Sequence, residues 1–286
     1  MAESATLRTS RLMAGKRGLI MGVANDHSIA WGIARVLAAE GADLAFTFQG
    51  DAQAKRVRPL AESVSSKMVL PCDVANDAEL GTVFAALAEE WGSLDFVVHS
   101  LAYSDKNELK GRYVDTSRQN FLSTLSISCY SFTDVARRAA ALMKNGGALV
   151  TLTYEGASRV MPNYNVMGVA KAALEASVRY LAADLGKDGI RVNAISAGPM
   201  RTLAGSAVGD ARMVFKWNKA HSPLKKNVEL DHLGGAALYL LSDLSAGVTG
   251  EIHFVDAGYH VVGMPPTGDL KGWIPPENGN GNGDTE

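Results

Sequence analysis

GLIMGVANDHSIAWGIARVLAA, residues 18–39, holds a short apolar run, a glycine, and then apolar residues at helical spacing. Gly18–Gly22 reads as a strand and Ile29–Ala39 as a helix with an apolar stripe. A strand that turns into a helix at a glycine presents free N–H groups and the positive end of the helix dipole to a phosphate. Gly22 permits both the tight turn and the close approach. Nine residues separate Gly22 from Gly32, so this is not the usual GxGxxG spacing, and the motif alone is weak. Ser28 reads either as a phosphate-binding hydroxyl at the helix start or as a plain N-cap.

The same rhythm continues outward. Strand readings fall at Asp43–Phe48, Met68–Pro71, Leu94–Ser100, Gly147–Thr153, Ile190–Ser196 and Ile252–Asp256. Helical readings fall at Ala52–Ser63, Ala78–Glu90, Arg118–Met143, Tyr164–Gly186 and Glu229–Leu241, while Asn107–Val114 is polar and irregular. Strands alternating with helices of these lengths predict an α/β fold, a doubly wound parallel sheet with helices on both faces. Right-handed crossovers leave the dinucleotide-binding arrangement as the commonest choice. Residues 1–15 read as a loose lead-in and 16–264 as one Rossmann-type domain. Residues 201–222 read as a helical insert suited to a lid over a site. The tail, 265–286, contains the run NGNGNGDTE and is expected to be flexible. There is no internal repeat.

The 286 residues are 47% hydrophobic, enough for one large core. With 28 basic and 30 acidic residues the net charge is −2, which points neither to nucleic acid nor to a membrane surface. Two cysteines, Cys72 and Cys129, are too few for a disulfide framework or metal cluster and read as free thiols. No apolar run is long enough to span a bilayer, and the first residues lack the apolar core of a signal peptide. The expectation is a cytoplasmic protein.

The chemistry concentrates in TYEGASRVMPNYNVMGVAK, residues 153–171. A helix starting near Tyr164, after Pro162 and Asn163, puts Tyr164 and Lys171 about two turns apart on one face. Tyr154, at the end of a strand, can project into the same space. A nearby ammonium is expected to lower the pKa of a phenol that must donate a proton. Taken alone, the segment is equally an ordinary helix start. Gln49 ends the second strand, where an acid would grip a ribose diol and a basic residue would greet a 2′-phosphate. Gln49 is neutral, which favours NADH over NADPH, although Lys55 and Arg56 lie close in sequence. Asp73, with Val74 after it, either accepts from an adenine amine or caps the following helix. Ser100 and Leu101 follow the fourth strand on the edge where ligands collect.

Together these residues resemble the short-chain dehydrogenase/reductase superfamily and, more closely, its bacterial NADH-dependent enoyl-acyl-carrier-protein reductases, over about residues 12–265. The resemblance rests on GVANDHSIAWGIA at 22–34, Gln49, CDV at 72–74, HSLAYS at 99–104, AGPMRT at 197–202, and Tyr154 with Tyr164 and Lys171. Ordinary superfamily members carry Tyr-x3-Lys with an upstream serine. This chain has Tyr-x6-Lys and Thr153-Tyr154 at the serine's place, as the enoyl reductases do. Leu101-Ala102-Tyr103 is bulkier than the turn common in that family, and Met200 stands for a common isoleucine.

The resemblance implies that Gly22, Ser28 and Ile29 line a pyrophosphate, that Gln49 meets the adenosine ribose, and that Asp73 and Val74 hold the adenine. It places Ser100 and Leu101 by the nicotinamide half, with Ala197, Gly198, Pro199, Met200 and Thr202 along the nicotinamide and phosphates. Lys171 would bind the nicotinamide ribose. Tyr164 would contact the thioester carbonyl, Tyr154 would assist, and Ser104 and Met167 would meet the acyl chain. Met161, Met167 and the insert 204–215 then line the chain's path, although methionines also simply fill cores. Arg201, Arg212, Lys216 and Lys219 offer a basic rim to an acidic acyl-carrier protein, or are a solvated helix face. The family implies a homotetramer, with Arg118–Met143 and Tyr164–Gly186 as faces that pair between subunits. A carbonyl reductase on the same fold and a non-catalytic dinucleotide sensor are the alternatives, and no metal is expected.

Overall fold

The computed structural model describes residues 11–203, 205 and 211–264. Seven strands form one sheet: β1 (Arg17–Met21), β2 (Asp43–Phe48), β3 (Met68–Pro71), β4 (Phe96–His99), β5 (Gly147–Thr153), β6 (Ile190–Ala197) and β7 (Ile252–Val255). Their order is β3-β2-β1-β4-β5-β6-β7, and every pairing is parallel. The chain winds from β1 outward through β3, then crosses back to β4 on the other side of β1. Between β1 and β4 the connections diverge, and a crevice opens beyond the carboxyl ends of the strands.

The alternation of side chains along the strands explains two cores. Ile20, Phe46, Val98, Val150 and Ile195 face α1 (Ile29–Ala39), α2 (Gly50–Ser63) and α8 (Leu230–Leu241). Leu19, Ala45, Val97, Leu149 and Ala194 face α3 (Asp77–Trp91), α5 (Ser131–Ala140) and α6 (Asn165–Leu185). Because residues one apart point to opposite faces, strands buried on both sides read as unbroken apolar runs. On the first face α1 and α8 touch backbone to backbone. A Cβ on Gly32 would stand 2.7 Å from the Leu230 Cβ, and one on Gly234 would stand 2.4 Å from Val36 Cγ2.

Three expectations need correction. The end of the lead-in is packed, not loose: Met13 is buried in the first core and its N–H donates to the Glu40 carbonyl at 3.1 Å. The long helical segment from Arg118 ends at Ala140 and is not uniform. It runs as α4 (Arg118–Leu125), a π-helical turn (Ser126–Tyr130) and α5. Asp73 does not cap α3. Asn76 does, accepting from the Ala78 N–H at 3.1 Å. Within the insert, α7 (Ala211–His221) is helical. The tail, residues 265–286, lies outside the described residues.

Candidate active site

A cavity of about 1510 Å³ opens at the carboxyl ends of the strands. Pockets for single drug-sized ligands run to roughly 1,000 Å³, so this one has room for a dinucleotide and more. Gly22 and Ile29 line it from the β1–α1 turn. Gly22 has φ +100°, and a Cβ there would lie 2.0 Å from the Ser100 carbonyl oxygen. Only glycine fits, which leaves the turn's backbone open to a phosphate. Ser28 does not line the cavity. Its hydroxyl accepts from the N–H groups of Ala24 at 3.0 Å and Asn25 at 3.1 Å, and it makes no cap bond to α1. It shapes the turn from the N-cap position of α1, without the side-chain bond of a cap.

Gln49, Asp73 and Val74 line the far end of the cavity, past β2 and β3. The Gln49 amide donates to the Asp73 carboxylate at 2.8 Å, and Asp73 also accepts from the Ala75 N–H at 2.9 Å. A carboxylate and a neutral amide suit ribose hydroxyls and an amine, and would repel a 2′-phosphate. Ser100, Leu101 and Ser104 line the middle from the segment after β4. Ala197, Gly198, Pro199, Met200 and Thr202 close the opposite wall after β6. The open glycine turn, the paired Gln49 and Asp73, and the cavity's volume all fit a nicotinamide dinucleotide.

Tyr154, Tyr164, Met161, Met167 and Lys171 line the remaining end. Tyr164 precedes α6 at its N-cap position, and Lys171 follows on the buried face of that helix. The two tyrosine rings meet edge-to-face with centroids 5.2 Å apart. They belong to a third apolar cluster with Leu109 and Val166, separate from the two sheet cores. The ring of Tyr164 is seated on glycines that the sequence reading passed over. A Cβ on Gly156 would lie 2.4 Å from Tyr164 Cδ1, and one on Gly168 would lie 2.7 Å from the Gly156 carbonyl oxygen. The signal was the glycine two residues after Tyr154, on the loop that must pass under the second phenol. Gly156→Ala is expected to lower turnover about tenfold to a hundredfold, since an ångström of misplacement carries that cost. Steady-state kinetics beside a melting curve checks this, because a loss of stability alone would leave turnover per folded molecule intact.

The electrostatics differ from expectation. Burial pushes the Tyr164 phenol well above its ordinary range, with Tyr154 and Glu175 adding to the shift. Burial likewise raises Tyr154, helped by Tyr259. Lys171 does not lower the Tyr164 pKa. Its Nζ donates to the Leu152 carbonyl at 2.7 Å, and burial pushes the ammonium down to about 8, partly offset by Cys129 and Glu175. Desolvation outweighs the expected pull of one charge. Both tyrosines are therefore neutral donors near pH 7. Arg201 lies over the Phe215 ring at 4.7 Å, and Arg212, Lys216 and Lys219 are exposed on α7. Ile127, from the π-helical turn, also lines the cavity and was not foreseen.

A family model described as Enoyl-(Acyl carrier protein) reductase matches residues 22–260. Enoyl-[acyl-carrier-protein] reductase [NADH] 2 of Rhizobium meliloti (strain 1021) is 65% identical over 260 residues, covering 91% of this chain and 97% of that protein. The crystal structure of FabI from Candidatus Liberibacter asiaticus superposes with a TM-score of 0.88 at 58% identity, over 89% of this chain and 99% of that one. That of the Anaplasma phagocytophilum reductase in complex with NAD gives 0.87 at 62% identity, over 89% and 97%. With its glycine turn, its two facing phenols and these relatives, the chain belongs to the enoyl-(acyl carrier protein) reductase family.

Proposed function

We propose that this protein uses NADH to reduce the trans-2 double bond of an enoyl thioester on acyl-carrier protein, the last reductive step of fatty-acid elongation. The observation that carries the reading is the buried Tyr164 packed edge-on against half-buried Tyr154, with Lys171 lining the same dinucleotide-sized cleft. Bound NADH supplies the hydride that goes to the β-carbon. Negative charge then develops on the thioester oxygen, and the Tyr164 hydroxyl donates a hydrogen bond to it. Tyr154 packs beside the substrate and assists. The α-carbon takes its proton from Tyr164 or through water. Lys171 holds the ribose hydroxyls of the nicotinamide half, Gln49 the adenosine ribose, and Asp73 and Val74 the adenine. Gly22 and Ile29 line the pyrophosphate. Ser100, Leu101 and the wall from Ala197 to Thr202 enclose the nicotinamide, while Ser104 and Met167 meet the acyl chain.

The carrier docks on the rim formed by Arg201, Arg212, Lys216 and Lys219, a positive edge at the mouth of the cavity. The protein works as one domain, residues 16–264 with the insert 201–222, in the cytoplasm. No helix among the described residues is long and apolar enough to cross a membrane. Exposed Leu122 and Tyr130 on the segment from α4 to α5, with Val169 and Tyr180 on α6, support helix pairing between subunits of a homotetramer. The deciding assay follows nicotinamide absorbance with crotonyl thioester and a ketone panel, each with NADH and NADPH. Turnover of the thioester with NADH is expected, at least about tenfold faster than with NADPH, since a 2′-phosphate meets an unfavourable charge at Asp73. Turnover of ketones alone would make the protein a carbonyl reductase, and binding without turnover would make it a sensor.

A further inference from the structure

His99, the last residue of β4, is fully buried and does not line the cavity. Its Nδ1 lies 3.0 Å from the Thr151 hydroxyl and its Nε2 lies 2.8 Å from the Ser131 hydroxyl. Each hydroxyl also has a carbonyl in reach: Thr151 that of His99 at 3.1 Å, and Ser131 that of Ile127 at 2.6 Å. A hydroxyl has one proton. If both protons went to carbonyls, both ring nitrogens would have to donate and His99 would be a cation. Burial and the Lys171 ammonium push its pKa down to about 3, so the ring is neutral. One hydroxyl therefore turns to the ring. The longer carbonyl bond is the one given up, so Thr151 donates to Nδ1, Nε2–H donates to Ser131, and Ser131 donates to the Ile127 carbonyl.

This chain of donors ends on the backbone of the π-helical turn Ser126–Tyr130. Such turns concentrate at functional places, and a serine bonded back to the fourth residue before it bends a helix. Two residues of the turn face the site's surroundings. Ile127 lines the cavity. Ser128 accepts from the Tyr103 N–H and donates to the Tyr103 carbonyl, both at 3.0 Å. Tyr103 and Ser104 line the cavity too. This buried imidazole therefore ties β4 and β5 to the cavity wall at Ile127, Tyr103 and Ser104.

We propose that His99 is a positioning residue, acting through Ser131 to fix the π-helical turn and hence the cavity wall at Ile127, Tyr103 and Ser104, against which the enoyl chain lies. This rests on the enoyl reductase reading above. It differs from a histidine that merely fills the core, because only the Nε2 side matters for the wall. A glutamine amide reaches the Nε2 position and keeps the Ser131 bond. An asparagine amide reaches only the Nδ1 position and keeps the Thr151 bond.

The test measures KM and kcat for a long-chain enoyl thioester, with NADH affinity alongside, for His99→Gln, His99→Asn, Ser131→Ala and the double variant His99→Asn/Ser131→Ala. His99→Asn and Ser131→Ala are each expected to raise KM about tenfold, with kcat and NADH affinity changed less than about threefold, as befits one lost hydrogen bond in ground-state binding. His99→Gln recovers most of the loss, and the double variant is no worse than either single one, because both cut the same chain. Equal effects of Gln and Asn, additive effects in the double variant, or a lower melting temperature with KM intact would each overturn the proposal. Should the His99 variants not fold, Ser131→Ala alone and nitrogen NMR of the wild-type imidazole decide. A neutral Nε2–H tautomer from pH 5 to 9 is expected (roughly the range set by a strongly depressed histidine), and an Nδ1–H tautomer refutes it. Wild-type protein without enoyl thioester turnover would instead sink the underlying functional reading.

Discussion

Tyr164→Phe is expected to lower turnover by about a hundredfold to a thousandfold while KM for the enoyl thioester moves less than about threefold, the cost of removing one donor from a developing oxyanion. The phenol is buried, and its pKa is raised by burial, then by Tyr154 and Glu175. It therefore keeps its proton throughout the neutral and mildly alkaline range. A donor that never ionises in the working range contributes no limb to a pH–rate profile there. Its effect appears only when charge arrives on the oxygen it faces. Tyr154→Phe, whose ring packs edge-on against Tyr164, is expected to cost several-fold less. Stopped-flow and steady-state measurements on both variants separate the roles. Unchanged turnover in Tyr164→Phe would remove this residue from the oxyanion position, and a larger loss in Tyr154→Phe would reassign it.

Lys171→Met is expected to weaken NADH binding by about tenfold to a hundredfold, the range for losing a charged hydrogen-bond donor. Calorimetry reads this directly, and the pH dependence makes it specific. The ammonium, pushed down to about 8 by burial, is charged at pH 7 and loses its proton as pH rises through that value. Wild-type affinity should be flat below pH 8 and fall above it, whereas Lys171→Met should show no such fall. Stability of the ligand-free protein runs the other way. Between about pH 8 and the ordinary lysine value near 10.5, Lys171 binds more protons in the unfolded chain than in the folded one, so its own contribution to stability rises with pH in that window, against an opposite contribution from the buried Cys72 thiol. Lys171→Met removes that contribution. An affinity that stays flat to pH 9.5 in the wild type would show that the charge does not grip the cofactor.

Much of this was legible in the sequence. Asp43–Phe48, Met68–Pro71 and Gly147–Thr153 were read to the residue, because apolar strands bounded by glycine, proline or charge announce their own ends. The two-turn spacing of Tyr164 and Lys171 predicted a shared face, and both residues do line the cleft. What escaped depends on partners distant in sequence. The Leu152 carbonyl that holds the Lys171 ammonium lies on another element, so the balance of burial against charge could not be weighed. Ser28 resembles any serine before a helix until its hydroxyl is seen turned back on Ala24 and Asn25. The π-helical turn leaves almost no mark on periodicity, since one extra residue shifts an apolar stripe only slightly. Met13 sits in the apolar triplet Leu12–Ala14, too short to hold a pattern that shows it enters the core.

The bare backbone contact of Gly32 and Gly234 joins a helix from the start of the sheet to one from its end. While the polypeptide is still emerging from the ribosome, the flank of α1 bearing Gly32 and Val36 lacks its partner until Leu230–Leu241 has been translated. A growing chain of this kind shows a sticky surface for most of its synthesis and is a natural client for chaperones. Closing so distant a contact is also slow, which makes the first-formed helix one of the last to settle.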